Sequence, residues 1–147
     1  YTNYTGEPYT IGTKYFNYFY PAIFNNFAAR MDWAKEGKGN RNPVVIVNGK
    51  AGIDQLTIEK KSGKKVLLDA SKSFDLEGDQ LSFNWWVQPE AGSYKEDLSI
   101  QTISQGKASI NLPSDSAGKT IHVICEVTDN GDPSLTSYRR IIIKSKE

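Results

Sequence analysis

Two adjacent tryptophans, Trp85 and Trp86, lie in the short segment SFNWWVQPEAGSYK. Adjacent side chains of a β-strand point to opposite faces, so the two rings would have different surroundings. A flat aromatic ring on an exposed face can stack on a sugar ring while neighbouring polar groups orient the sugar. Trp86 is therefore a candidate carbohydrate-binding residue, with Tyr94 and Asn84 as weaker candidates. Under the alternative interpretation Trp86 is covered by the N-terminal helix of this chain, by the predicted strand region 98–103, or by a further domain.

A second candidate is the DLEGD turn, in which Asp75, Glu77 and Asp79 place carboxylate oxygens around a glycine. Calcium binds oxygen ligands of this kind, but it needs six to eight of them, and the spacing of an EF-hand loop is absent. Asp69 and Asp129 are the acidic residues that could reach the turn and add ligands. Aspartates also cap tight turns without any metal, which is the simpler interpretation. Apart from this possible calcium site, no cofactor is expected.

The histidine and cysteine of this sequence do not indicate a catalytic site. His122 is the only histidine and Cys125 the only cysteine. They lie three positions apart on a predicted strand, hence on opposite faces, and cannot form a nucleophile–base pair. Cys125 falls on the core-facing phase, where a free cysteine behaves as a small hydrophobe. The chain is therefore expected not to be an enzyme.

The bulk properties of the chain exclude several classes of partner. Its 147 residues carry 18 basic and 17 acidic side chains, a formal net charge of +1, which gives no electrostatic reason to expect nucleic-acid binding. No apolar run approaches the roughly 20 residues that a membrane-spanning helix needs. The length suits one domain with an appendage. Because the chain begins with tyrosine, it is expected to be a mature or excised piece of a longer protein.

From Pro43 onward the pattern is that of an antiparallel β-sandwich. Apolar and polar residues alternate in short segments separated by glycine-rich turns, which is typical of sandwiches rather than of βαβ units. The predicted strands span residues 44–47, 55–59, 64–70, 81–87, 98–103, 107–112, 120–128 and 136–144. Alternation places Trp85 in the core, like the buried tryptophan of immunoglobulin-like domains, and leaves Trp86 on the opposite face.

The N-terminal segment has a different character. Six of the eight tyrosines lie within the first twenty residues. Pro21 suits a first helical position and Gly37 suits a helix end, so a helix is predicted over about 21–35. Its apolar residues recur at helical spacing and need a surface to cover them. Residues 36–43 are predicted to form a polar linker.

Four segments carry a family resemblance: FNNFAARMDW, NPVVIVNG, WWVQPEAGSYK and AGKTIHVICEVTDNGDP. In this order they resemble the C-terminal region of a family of secreted bacterial proteins named as cellulose-binding. Those proteins have a nucleoside-hydrolase-like N-terminal domain and an immunoglobulin-like C-terminal domain. The run VLLDASKSFDLEGDQLSFNWWV also looks like the polycystic-kidney-disease-type and cadherin-like bacterial sandwiches.

The resemblance implies the following organisation. Residues 1–35 would be the tail of an upstream hydrolase-like domain, 36–43 a linker, and 44–147 an immunoglobulin-like β-sandwich. The fold class expected is thus all-β, preceded by an aromatic-rich segment with one α-helix. The implied function is a non-catalytic accessory module, secreted or periplasmic, that binds a cellulose-like polysaccharide weakly. The alternative is a structural sandwich that docks on the hydrolase-like domain and stabilises it.

Overall fold

The structure, a computed structural model, describes residues 10–147. Residues 1–9, which hold part of the predicted aromatic segment, lie outside the described part. One helix, α1, spans Thr10–Glu36 and is followed by the strands. These are β1 (Ile46–Val47), β2 (Lys50–Ala51), β3 (Leu56–Lys61), β4 (Lys65–Asp69), β5 (Ser82–Val87), β6 (Ile100–Ser104), β7 (Lys107–Asn111), β8 (Thr120–Thr128) and β9 (Thr136–Lys146).

Two facing sheets form the sandwich. The larger has the strand order β3-β9-β8-β5 and the smaller β4-β7-β6, while β1 and β2 form a separate ribbon. The predicted sandwich preceded by one helix is confirmed. One pair departs from the expected antiparallel arrangement, because β3 runs parallel to β9, with Leu56 beside Ile141. These two strands are far apart in sequence, so no tight turn dictates their relative direction.

The core lies between the two sheets and is built from the inward-facing side chains of the strands. It includes Val66, Leu68, Ile110, Val123 and Ile141. Trp85 of β5 packs against this cluster, as predicted. Cys125 is fully buried, and burial raises the pKa of its thiol to about 12. A thiol in such surroundings behaves as an apolar side chain.

The helix is longer than predicted, because it begins at Thr10 rather than near residue 21. Pro21 lies inside it, although a proline there cannot donate the backbone hydrogen bond of a regular turn. The C-terminal end agrees with the prediction: Gly37 has φ +70° and donates its N–H to the carbonyl of Trp33 at 2.9 Å. Contacts with the larger sheet support the helical turns that precede Pro21.

Helix α1 lies on the outer face of the larger sheet and forms a third layer. Phe19 contacts Tyr138 edge to face with ring centroids 5.3 Å apart, and Asn25 donates a hydrogen bond to the Ser134 carbonyl at 2.9 Å. The indole of Trp33 donates to the carbonyl of Asn40 at 2.8 Å, which ties the helix end to the linker. Among residues 10–147, no helix has the length and apolar character needed to cross a membrane.

Candidate functional site

The carboxylate of Glu126 gathers three hydrogen-bond donors on the outer face of the larger sheet. Asn84 lies opposite Glu126 in the β5–β8 register and donates to Oε2 at 2.9 Å. The Nε1–H of Trp86 donates to Oε1 at 2.9 Å, and the hydroxyl of Tyr18 donates to the same oxygen at 2.9 Å. Glu126 is only 9% exposed. This one carboxylate therefore joins α1, β5 and β8.

Aromatic side chains of α1 surround the Trp86 ring. Tyr15 lies nearly parallel to it, with centroids 6.1 Å apart and planes at 24°. Tyr18 meets it edge to face at 5.5 Å, and Phe19 lies tilted at 6.2 Å. Trp86 is consequently half-buried. The structure thus places a helix of this chain on Trp86, which was the alternative to an open sugar-binding face.

Tyr94 does not join Trp86 and Asn84. Its side chain is 5% exposed and belongs to the core cluster, and its hydroxyl donates to Asp115 Oδ1 at 3.1 Å. The backbone N–H of Tyr94 donates to the carbonyl of Thr120, which ties the segment after β5 to the start of β8. Lys119 Nζ lies over the Tyr94 ring, 5.2 Å from its centroid. The buried ring is therefore not available to stack on a ligand.

A groove of about 220 Å³ remains between the first half of α1 and the edge strand β5. It is lined by Lys14, Tyr15, Tyr18, Asn84, Trp86 and Val87. Glu90 is held beside it, because it accepts a hydrogen bond from the Tyr15 hydroxyl at 2.6 Å and lies 3.5 Å from Lys14 Nζ. The groove combines apolar ring surface with charged and hydroxyl groups at its edge.

The two tyrosine hydroxyls of the groove have perturbed acidities. Burial raises the pKa of Tyr15 to about 12, and the hydrogen bond to Glu90 acts in the same direction. Burial likewise raises the pKa of Tyr18 to about 12, with the Glu126 carboxylate adding to the effect. The hydrogen bond from Tyr15 in turn lowers the pKa of Glu90. At neutral pH both phenols are therefore protonated, and each donates a hydrogen bond to a glutamate side chain.

We expect Tyr15 and Tyr18 to form phenolate only near pH 12 when the phenolate absorbance is titrated. A folded-state pKa above the ordinary value of about 10 means that these phenols stabilise the folded chain fully below pH 10. That contribution is lost as the pH rises from about 10 to about 12. Replacement of either residue by phenylalanine should remove one late-titrating group, and an unchanged titration curve would contradict the assignment.

The acidic turn after β4 caps itself. Asp75 Oδ1 accepts the backbone N–H groups of Glu77 at 2.8 Å and Asp79 at 3.2 Å. Glu77 is exposed and its Oε1 lies 3.8 Å from Arg41 Nε. Within residues 10–147, no three histidine, cysteine, aspartate or glutamate side chains are grouped so as to hold a metal ion. Asp69, which was considered as a further ligand, accepts a hydrogen bond from its neighbour Ser71 at 2.6 Å. Calcium binding at this turn stays a prediction.

Glu126, Tyr15 and Tyr18 are site residues that the sequence analysis did not identify. Glu126 falls on the outward phase of β8, and the strand register that pairs it with Asn84 is the signal that would have found it. Tyr15 and Tyr18 precede the predicted helix start. They could have been placed only by recognising that the helix extends before Pro21.

Comparison with known proteins identifies the family. Residues 65–145 match the family described as cellulose-binding protein Sde0182, C-terminal domain. One similar solved structure is that of a nucleoside hydrolase-related hypothetical protein from Saccharophagus degradans that is associated with carbohydrate metabolism. It is 40% identical with a TM-score of 0.80, and the match covers 87% of this chain and 32% of that one. This chain thus spans about a third of the length of that protein.

A chimeric titin Z1Z2 functionalised with an exogenous peptide from decorin is 14% identical, with a TM-score of 0.38 over 74% of this chain and 100% of that one. No curated protein matches the chain. The family match covers more than half of the sequence and lies within the sandwich. The chain therefore belongs to the family of the C-terminal domain of the cellulose-binding protein Sde0182.

Proposed function

We propose that this chain is a non-catalytic accessory module of a secreted or periplasmic bacterial protein that processes polysaccharides. It binds a cellulose-like glycan weakly. The observation that carries this proposal is the aromatic groove between α1 and β5, in a chain whose family is described as cellulose-binding. The resemblance to secreted bacterial proteins supports the location.

The chemistry of the groove suits a sugar ring. Tyr15 and Trp86 supply apolar surface for the C–H face of a pyranose, as aromatic rings in ligand sites do. Lys14, Asn84 and Glu90 supply donors and acceptors for its hydroxyls. The volume of about 220 Å³ is below the roughly 300 Å³ of ordinary small-ligand pockets, so we expect one sugar unit to be held and the affinity to be low.

Depletion of the chain from solution by insoluble cellulose, xylan and chitin tests the proposal. The wild-type chain should bind cellulose, and Tyr15→Ala should weaken binding about tenfold, the equivalent of roughly 1.4 kcal/mol. Phe24→Ala is the matched control, because Phe24 is on the same helix but 56% exposed and outside the groove. Near-ultraviolet circular dichroism would verify that both variants keep the native packing.

The proposal fails if the wild-type chain binds none of the three polymers, or if Phe24→Ala weakens binding as much as Tyr15→Ala. The second result would indicate that the glycan binds on the outer face of α1. The first would favour a structural role for the chain.

The second candidate is a structural role, favoured by an apolar stripe on the outer face of α1. Its residues recur at helical spacing and are each more than half exposed: Phe16, Tyr20, Ile23, Phe24, Phe27 and Met31. Contiguous exposed apolar surface of this kind marks interaction sites. Under this proposal the stripe docks on an upstream hydrolase-like domain of the same protein, with residues 1–35 forming its tail, 36–43 the linker and 44–147 the sandwich.

Oxidation of Met31 by hydrogen peroxide separates the two candidates. Met31 is the only methionine and is 54% exposed, so its sulfoxide is readily followed by mass spectrometry. Docking would make Met31 oxidise several-fold more slowly in a protein that includes the upstream domain than in this chain alone. Equal rates in the two proteins would exclude the structural role.

A further inference from the structure

A second groove lies on the other flank of α1, between the helix and strand β9. Its walls include Phe19, Asn26, Phe27 and Arg30 of the helix and Tyr138 of the strand. The helical members recur at helical spacing, so they form one continuous side of α1. No residue is shared with the groove between α1 and β5. This second groove, named here the Tyr138 groove, is therefore a separate site.

The Tyr138 groove has the size and the walls of an ordinary ligand site. Its volume of about 510 Å³ is more than twice the 220 Å³ of the groove beside β5 and lies within the roughly 300–1,000 Å³ of small-molecule sites. Phe19 holds the Tyr138 ring by an edge-to-face contact at 5.3 Å, and Phe27 is 60% exposed. Aromatic surface of this kind can stack on the C–H face of a sugar ring.

Arg30 gives the groove a positive charge. It is the only charged side chain among the described residues that line the groove. Its guanidinium lies over the ring of Trp33, 5.8 Å from the centroid, and this cation–π contact restrains it. Arg140 adds a second cation on the same outward phase of β9 as Tyr138. Within residues 10–147, the ion pairs include neither arginine, so the groove favours an anionic ligand.

These groups together define the chemistry of the ligand. A guanidinium binds a carboxylate through two parallel hydrogen bonds, a geometry that an uncharged hydroxyl cannot reproduce. Asn26 Nδ2 donates to the Ala22 carbonyl of its own helix at 3.2 Å, which leaves the amide oxygen to accept from a ligand hydroxyl. The aromatic walls need a ligand with an apolar face. A sugar that carries a carboxylate, a uronic acid, combines all three features.

We propose that the Tyr138 groove binds an acidic glycan, with Arg30 pairing with a uronate carboxylate and with Phe27 and Tyr138 contacting the sugar rings. The choice of a glycan rests on the proposed function, since the family is described as cellulose-binding. The carboxylate is inferred from the groove itself. The chain would then hold a neutral glycan on the β5 side of α1 and an acidic one on the β9 side, and so bridge two kinds of polysaccharide.

Calorimetric titration of the chain with trigalacturonic acid and with cellotriose tests this site, because the two trisaccharides differ in charge. The wild-type chain should bind the acidic trimer, and added salt should weaken that binding. Arg30→Gln should weaken it about tenfold and leave cellotriose binding unchanged. Arg30 is exposed, so the variant is expected to fold. The matched control is Lys35→Gln, which removes the same charge from an exposed position of the same helix outside the groove.

The proposal is overturned if the wild-type chain does not bind trigalacturonic acid, or if Lys35→Gln weakens binding as much as Arg30→Gln, since net charge alone would then explain the effect. Displacement of the acidic trimer by cellotriose would also overturn it, because the two ligands would share one groove. A glutamate-rich peptide that competes with equal affinity would assign the groove to an acidic protein segment instead. Tyr15→Ala should affect cellotriose alone, so failure of the neutral site and failure of the acidic site are told apart.

Discussion

Glu126→Ala is expected to lower the free energy of unfolding by about 2–3 kcal/mol and to release the first half of α1 from the sheet. The substitution removes the acceptor shared by Tyr18, Asn84 and Trp86. Hydrogen bonds to a charged acceptor are worth more than neutral ones, and the indole N–H of Trp86 is left without a partner in a half-buried place. Glu126→Gln keeps one acceptor oxygen and should cost about half as much.

Urea denaturation followed by far-ultraviolet circular dichroism and by tryptophan fluorescence measures this effect. Glu96→Ala is a suitable control, since Glu96 is exposed, and it should leave the midpoint unchanged. A Glu126→Ala variant as stable as the wild type would mean that the free-energy cost of burying the carboxylate equals the stabilisation from its three hydrogen bonds. The Glu126 cluster would then orient the helix without stabilising it.

The sandwich could be predicted from the sequence because one physical signal, alternation, determines both strands and faces. The predicted strand 120–128 coincides with β8 (Thr120–Thr128), and the inward position of Trp85 follows from the same rule. When one face of a strand is buried, every second residue must be apolar, so a short segment is enough to identify a strand and its buried face. The parallel pairing of β3 with β9 has no such local signal, since it depends on which sheet edge the chain reaches.

The candidate site was less predictable because its contacts are long-range. Glu126 meets Tyr18, a residue more than a hundred positions away, and the same is true of Asn25 and Ser134. The local sequence favours Pro21 as the helix start, a role that proline often has. In this chain the aromatic contacts of Tyr15 and Phe19 with Trp86 support the earlier turns, so tertiary packing outweighs the local preference.

The pair of adjacent tryptophans provides the second large expected effect. Trp85→Ala should lower the free energy of unfolding by about 3–4 kcal/mol, because it removes a large side chain packed on the core between the sheets. Trp86→Ala removes a ring that packs under α1, so its main effect should be on the helix. The two neighbours thus stabilise different layers of the molecule.

Native-state hydrogen exchange distinguishes the two substitutions, because it reports the stability of each element separately. In Trp85→Ala the slowest-exchanging amides of β8 and β9 should lose protection by about a hundredfold or more, in line with the global loss of stability. In Trp86→Ala the amides of α1 before Pro21 should exchange faster while those of β8 and β9 change much less. If both variants lost protection uniformly, α1 and the sandwich would unfold as one cooperative unit, and the Glu126 cluster would belong to the core rather than to a separable layer.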